Sequence, residues 1–146
     1  SWTAAKRLEK YVHSLLIPDA SAPLGSAADA AQARRGDCRH AAILLCALCR
    51  AAAIPARTCA GLVYIERTKP GGGRGPFLGF HMWTEVYIDG QWIGLDGTLG
   101  KGGVSPRHIK INDQSWFQEE SMAPLAPVLK LVGKLHAEVL MVDANP

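Results

Sequence analysis

The dipeptide Asp89-Gly90 constrains this chain more than any other pair of residues in it. It separates two runs of strand-forming residues, His81–Ile88 and Gln91–Leu95, and an Asp-Gly pair in that setting supplies the positive φ values of a tight hairpin turn. A two-residue turn fixes the register. Ile88 then faces Gln91, and the pairing runs back through Tyr87/Trp92, Glu85/Gly94 and Trp83/Asp96. Residues directly opposite share a face, and so do residues two apart on one strand. His81 and Asp96 therefore become diagonal neighbours with Cβ atoms ~7 Å apart, which a side-chain hydrogen bond can bridge. The spacing predicts an imidazole oriented by a carboxylate, provided no bulge at Gly94 slips the register by one. Trp83, Tyr87 and Trp92 share that face. Trp83 is nearest the pair and is the one placed to line a substrate groove, while Tyr87 and Trp92 read as packing aromatics.

A second constellation lies upstream. Gly36-Asp37 breaks the chain directly before Cys38, and Ala41–Ala53 is an uninterrupted helix-favouring run. Cys38 is thus expected in the first helical turn, where unpaired backbone N–H groups and the helix dipole favour a thiolate. The same N–H groups can stabilise an oxyanion beside the sulfur. The other cysteines read differently. Cys46 and Cys49 have the C-x-x-C spacing of a zinc or redox motif, but they sit inside a helix and no second pair follows. They and Cys59, in a predicted strand, are expected to pack as small hydrophobes.

The remaining chain predicts helices first and antiparallel strands after them, an α+β arrangement without βαβ alternation. Trp2–Ile17 has Leu8, Tyr11, Val12 and Leu15 at helical spacing, and Pro18 stops it. Ser26, with Asp29 three residues on, caps a short helix to Ala33. Thr58–Glu66 is a strand, Thr68–Gly79 a glycine-rich loop and Arg107–Ile111 another strand. A short helix over Pro124–Val132 and a last strand over Leu135–Val142 complete the pattern. Arg50 and Arg57 flank the end of the Cys38 helix and are expected to bond carbonyls or a carboxylate.

The sequence has 146 residues, room for one domain, and its 48% hydrophobic and 20% charged composition excludes a disordered chain. A net charge of +3 from scattered residues does not indicate nucleic acid. No apolar run approaches the ~20 residues of a membrane span, and Ser1–Lys6 lack the layout of a signal peptide. The missing initiator Met leads us to expect a piece of a longer protein. Neither a metal nor a cofactor is expected from the residue pattern.

Taken together, several segments resemble the bacterial transglutaminase-like superfamily. These are Gly36-Asp37-Cys38, Arg50-Ala51-Ala52-Ala53-Ile54-Pro55-Ala56-Arg57, Gly61-Leu62-Val63-Tyr64, His81-Met82-Trp83-Thr84-Glu85-Val86-Tyr87 and Gln91 to Gly100. The motifs keep the family's order, Cys then His then Asp, and the resemblance spans Ala28 to about Ile111. It implies a papain-like core with Cys38 as nucleophile, His81 as base and Asp96 as orienter. Where many relatives carry Thr-Glu-His-Ala after Gly-Asp-Cys, this chain has Arg39-His40-Ala41-Ala42. Gln32 lies six residues before Cys38, the offset at which papain-like proteases place a glutamine oxyanion donor.

The expected activity is thiol acyl transfer on a protein or peptide substrate, with Cys38 attacking an amide carbonyl and His81 giving a proton to the leaving amine. Water as second nucleophile makes a peptidase or amidase, the reading favoured by the microbial resemblance; a lysine amine makes a cross-linking transglutaminase. A calcium-gated cross-linker is disfavoured, since no calcium-loop pattern is present. A non-catalytic interaction domain on the same fold, or a zinc module on the cysteines, are the competing classes.

Overall fold

The computed structural model describes residues 1–66, 75–115, 123–131 and 133–135. Three helices come first: α1 (Trp2–Leu15), α2 (Ala27–Ala33) and α3 (Cys38–Ala51). Two short strands, β1 (Ile17–Pro18) and β2 (Arg35–Gly36), pair in parallel between them. The main sheet contains β3 (Ala56–Ile65), β4 (Phe77–Ile88), β5 (Gln91–Leu95) and β6 (His108–Asn112) in the order β5-β4-β3-β6, all antiparallel. A 3-10 turn at Ala123–Leu125 leads into α4 (Ala126–Leu129). The architecture is α+β.

Local chemistry explains most boundaries. Ser26 and Asp29 form the reciprocal capping box expected of α2. Helix α1 ends at Leu15, two residues before the sequence-predicted limit, because Ile17 and Pro18 are drawn into the parallel pair with Arg35 and Gly36. Helix α3 ends just before Ala53, whose φ of 56° turns the chain toward Ile54-Pro55. The hairpin turn has φ of 50° at Asp89 and 85° at Gly90, the left-handed pair that a type I′ turn requires.

Strand β4 is longer than predicted. Phe77, Leu78 and Gly79, assigned from sequence to the loop, pair with Ile65, Tyr64 and Val63. Glycine density had suggested a loop, but the partner strand β3 extends far enough to recruit them, and tertiary pairing overrides weak local preference. Residues 68–74 of that loop lie outside the described residues, as does the predicted strand beyond Leu135.

Two apolar clusters fill the space between helices and sheet. One joins Ala5 and Val12 of α1 to Leu44, Leu45, Cys46 and Cys49 of α3 and to Val86 and Leu95 of the sheet. The other joins Ala42 to Ala60, Leu62, Met82, Leu125 and Val128. Cys46, Cys49 and Cys59 are buried and free, as expected of packing residues. The α3–sheet contact is pinned by the Thr84 hydroxyl, which donates to the Ala42 carbonyl at 2.9 Å. Among the described residues, no helix is long and apolar enough to cross a membrane.

Candidate active site

Cys38 is the first residue of α3, and the residues before it are organised to present it. Asp37 is the N-cap and accepts from the Arg39 N–H at 2.9 Å. His40 occupies the third helical position, where a capping box normally carries Glu or Gln. Its Nδ1 accepts from the Asp37 N–H at 3.1 Å, and its Nε2 donates to the Pro23 carbonyl at 3.0 Å. The buried His40 ring lies where a Cβ on Gly36 would have to stand, so the glycine is required by close approach. Arg39 adds a two-pronged contact to the Asp37 carboxylate through Nε and Nη2, at 2.9 and 2.6 Å from Oδ2. The Arg39-His40 departure thus rebuilds the cap with other residues. With the N–H groups of Arg39 and His40 taken by the Asp37 side chain, nothing among the described residues accepts from the Cys38 N–H.

The hairpin delivers the other two residues. The register runs Ile88↔Gln91, Tyr87↔Trp92, Glu85↔Gly94 and Thr84↔Leu95, without a bulge at Gly94. Asp96 follows directly, fully buried, and its Oδ2 lies 2.7 Å from Nε2 of His81. Because Nε2 is committed there, Nδ1 is the ring nitrogen left for the Cys38 thiol, which is close enough to act on the ring's titration. Burial alone would lower the His81 pKa, but the bonds to Asp96 and Cys38 and their charges outweigh it and hold it at about 9. Burial pushes Asp96 up, while the bonds from His108 and His81 and the backbone donor more than offset this and hold it well below the usual carboxylate range. His81 and Asp96, both named from the sequence, are thus brought into direct contact.

Sequence reasoning missed what surrounds them. His108, from β6, also donates from Nε2 to Asp96 Oδ2, at 3.1 Å. The other Asp96 oxygen, Oδ1, accepts from the N–H groups of Thr98 at 2.8 Å and Leu99 at 3.2 Å. Glu9 of α1 is buried and accepts at Oε1 from the N–H groups of Asp96 at 2.9 Å and Gly103 at 3.2 Å. His13, one turn farther along α1, donates from Nδ1 to the Thr98 carbonyl at 2.9 Å. The amphipathic period of α1 placed Glu9 near Leu8 and Val12, and a carboxylate on an apolar stripe was the available signal. His108 stood in a predicted strand whose pairing partner the sequence did not specify.

Trp83 is buried, at 2% exposure, and does not face open solvent. Its ring stacks near His81 with centroids 6.3 Å apart, meets His108 edge-on at 5.3 Å and lies over Gly61. Gln32 is exposed near the end of α2. Farther along the sheet, Trp92 and Tyr87 are exposed and tilted together, with the Arg57 guanidinium 4.1 Å from the Trp92 ring centre. Arg57 also pairs with Glu85 at 2.7 Å, and Arg50 donates to the Ala56 carbonyl at 2.9 Å, as expected of both. Burial raises the thiol pKa of Cys46 and Cys59 and takes Cys49 up to about 12.

The sequence profile of the transglutaminase-like superfamily matches residues 2–97, a span that holds Cys38, His81 and Asp96. The chain belongs to that superfamily. Its fold is similar to the crystal structure of a candidate cysteine protease from Cytophaga hutchinsonii, at 28% identity and a TM-score of 0.61, over 76% of this chain and 35% of that one. It also matches the periplasmic domain of TgpA from Pseudomonas aeruginosa, solved with ethylmercury bound, at 27% identity and a TM-score of 0.49, over 66% of this chain and 37% of that one. The chain therefore spans about a third of the length of these solved structures. No curated protein matches the sequence.

Proposed function

We propose that this chain is a thiol acyl-transfer enzyme that hydrolyses amide bonds in proteins or peptides, with Cys38, His81 and Asp96 as its triad. The observation that supports the reading is the His81–Asp96 pair, an imidazole fixed at Nε2 by a 2.7 Å bond to a buried carboxylate, with Cys38 near enough to act on the same ring. His81, held by Asp96 at Nε2, takes the Cys38 proton at Nδ1 and leaves a thiolate beside the ring. The thiolate attacks the amide carbonyl, and the spare Cys38 N–H faces the developing oxyanion. His81 then passes its Nδ1 proton to the departing amine, and Asp96 stabilises the cationic ring without taking a proton. Water, activated by the now neutral His81, resolves the thioester.

Similarity to the Cytophaga hutchinsonii protein favours water over an amine as the second nucleophile. Gln32 has no assigned part, because its side chain is exposed on α2. The test is hydrolysis of a fluorogenic peptide amide by wild type and Cys38→Ala, with and without an added primary amine. Release of acid product that vanishes in Cys38→Ala is expected. Amine-linked product as the main species would instead indicate a cross-linking transferase, and no turnover with either acceptor would favour an interaction domain.

A further inference from the structure

His81 of β4, Asp96 after β5 and His108 of β6 each offer one ligand atom, and these atoms lie within 4.8 Å of one another. We propose that this trio is an inhibitory site for a divalent transition metal of the zinc class, sharing His81 and Asp96 with the proposed triad but not using the cysteine.

Nε2 of His81 and Nε2 of His108 stand 2.7 and 3.1 Å from the same Asp96 oxygen. Two ligands on one tetrahedral zinc, with bonds of about 2.0–2.1 Å, are separated by about 3.3 Å. The two separations from Asp96 therefore need to open by about 0.2 to 0.6 Å, and the two imidazole nitrogens, within 4.8 Å of each other, to settle at the same span. The donor set, two imidazoles and one carboxylate, suits zinc, and three protein ligands leave a fourth position for water.

The surroundings already hold what metal ligands require outside the first contacts. Oδ1 of Asp96 is fixed by the N–H groups of Thr98 and Leu99, which leaves Oδ2 aimed at the two rings. Nδ1 of His108 lies 3.2 Å from the Ser105 carbonyl, the acceptor needed once the ring proton resides on that nitrogen. The same Nδ1 is 3.3 Å from the Ser105 N–H, so Ser105 offers this nitrogen a partner in either tautomer. To bind the metal, each ring turns a bare Nε2 to it and carries its proton on Nδ1, and any proton displaced from Nε2 passes to solvent. His81 bound this way cannot give up its remaining proton without becoming a metal-bound imidazolate. The proton delivery proposed for amide cleavage is thereby blocked.

The inference shares residues with the proposed triad but does not depend on catalysis, so the first measurement needs no activity. Untagged Cys38→Ala protein, which lacks the accessible thiol, is titrated with Co²⁺ and followed by visible absorption, and Zn²⁺ is then added as competitor. One Co²⁺ per chain, with the band intensity of a four- or five-coordinate N/O site and displacement by Zn²⁺, is expected. Adding His108→Phe or His108→Gln should weaken Co²⁺ binding by more than about 10-fold, with circular dichroism confirming that each variant is folded. In otherwise wild-type protein, His108→Gln should raise the Zn²⁺ concentration for half-inhibition by a similar factor, each variant being scaled to its own metal-free rate. Failure of Cys38→Ala to bind Co²⁺ stoichiometrically, or undiminished binding in both folded His108 variants, would overturn the site. A protein that binds Co²⁺ as expected but hydrolyses nothing would leave the metal site standing and refute the amidase reading alone.

Discussion

Replacing Asp96 by asparagine tests the site most sharply, because the carboxylate serves four donors at once. Oδ2 accepts from His81 and His108, and Oδ1 from the N–H groups of Thr98 and Leu99. A carboxamide has one oxygen. If that oxygen faces the backbone, the amide NH2 faces both histidines, and each must present a bare Nε2. The His81 proton then sits on Nδ1, toward the sulfur, where the neutral ring can no longer act as base. If the oxygen faces the histidines, two backbone donors lose their acceptor at roughly 1–3 kcal/mol each. Histidines can change tautomer and backbone amides cannot, so the first orientation should prevail. Turnover should fall ~10⁴-fold, the cost of the same change in serine triads. The charge lost is also measurable. Moving His81 from its ordinary 6.5 to about 9 corresponds to roughly 3 kcal/mol in favour of the cationic ring at ~1.4 kcal/mol per pH unit. Asp96→Asn should return a large part of this, lowering the His81 midpoint by at least about one pH unit in ring ¹⁵N spectra. Near-wild-type turnover on a substrate that Cys38→Ala leaves uncut, or an unmoved His81 midpoint, would refute the reasoning.

Other expectations follow from the same contacts. Iodoacetamide with mass mapping should label Cys38 rapidly and leave Cys46, Cys49 and Cys59 largely unmodified in the folded protein; equal rates at all four would contradict their burial. Because His81 titrates higher when folded, its contribution to stability is full below about pH 6.5 and is lost as pH rises through about 9. Asp96, held low, contributes above the ordinary carboxylate range and loses that contribution in acid. Urea midpoints should therefore be highest near pH 5–6.5 and fall on both sides, and a flat profile from pH 6 to 10 would exclude the His81 shift. Glu9→Ala should cost about 2–4 kcal/mol, by orphaning the Asp96 and Gly103 N–H groups, with Glu9→Gln milder in the same denaturation assay. Gly36→Ala should displace His40 and slow Cys38 alkylation, whereas an unchanged rate would show that the cap does not position the sulfur.

The sequence made the hairpin, and with it the His81–Asp96 contact, legible because a two-residue turn fixes register by local geometry alone. Cys38 at the start of α3 was legible for a similar reason: turn residues, a cysteine and a helix-forming run are adjacent in the chain. His108 was not. Its place beside Asp96 depends on β6 pairing with β3, and that pairing shifts at Ala60/Gly61, an irregularity that alternation patterns do not encode. Glu9 was hidden differently, since its partners are the backbone amides of Asp96 and Gly103, which carry no side-chain signature. The expected role of Trp83 on a groove rested on its position in the register. Register places a ring on a face but says nothing of what covers it, and this ring is buried between His81, His108 and Gly61.

Helix α1 carries none of the three proposed catalytic residues, yet it is fastened to both sides of them. Just beyond its end, Ile17 and Asp19 donate to the carbonyls of Arg34 and Gly36, immediately ahead of Cys38. Along its length, Glu9 and His13 hold the segment that follows the hairpin, from Asp96 through Gly103. The helix therefore works as a strut between two parts of the chain that approach each other only through the folded sheet. A protein engineer who shortened this chain to the span of its recognisable motifs, beginning near Ala28, would keep every reactive atom and lose the brace that holds them at a common distance.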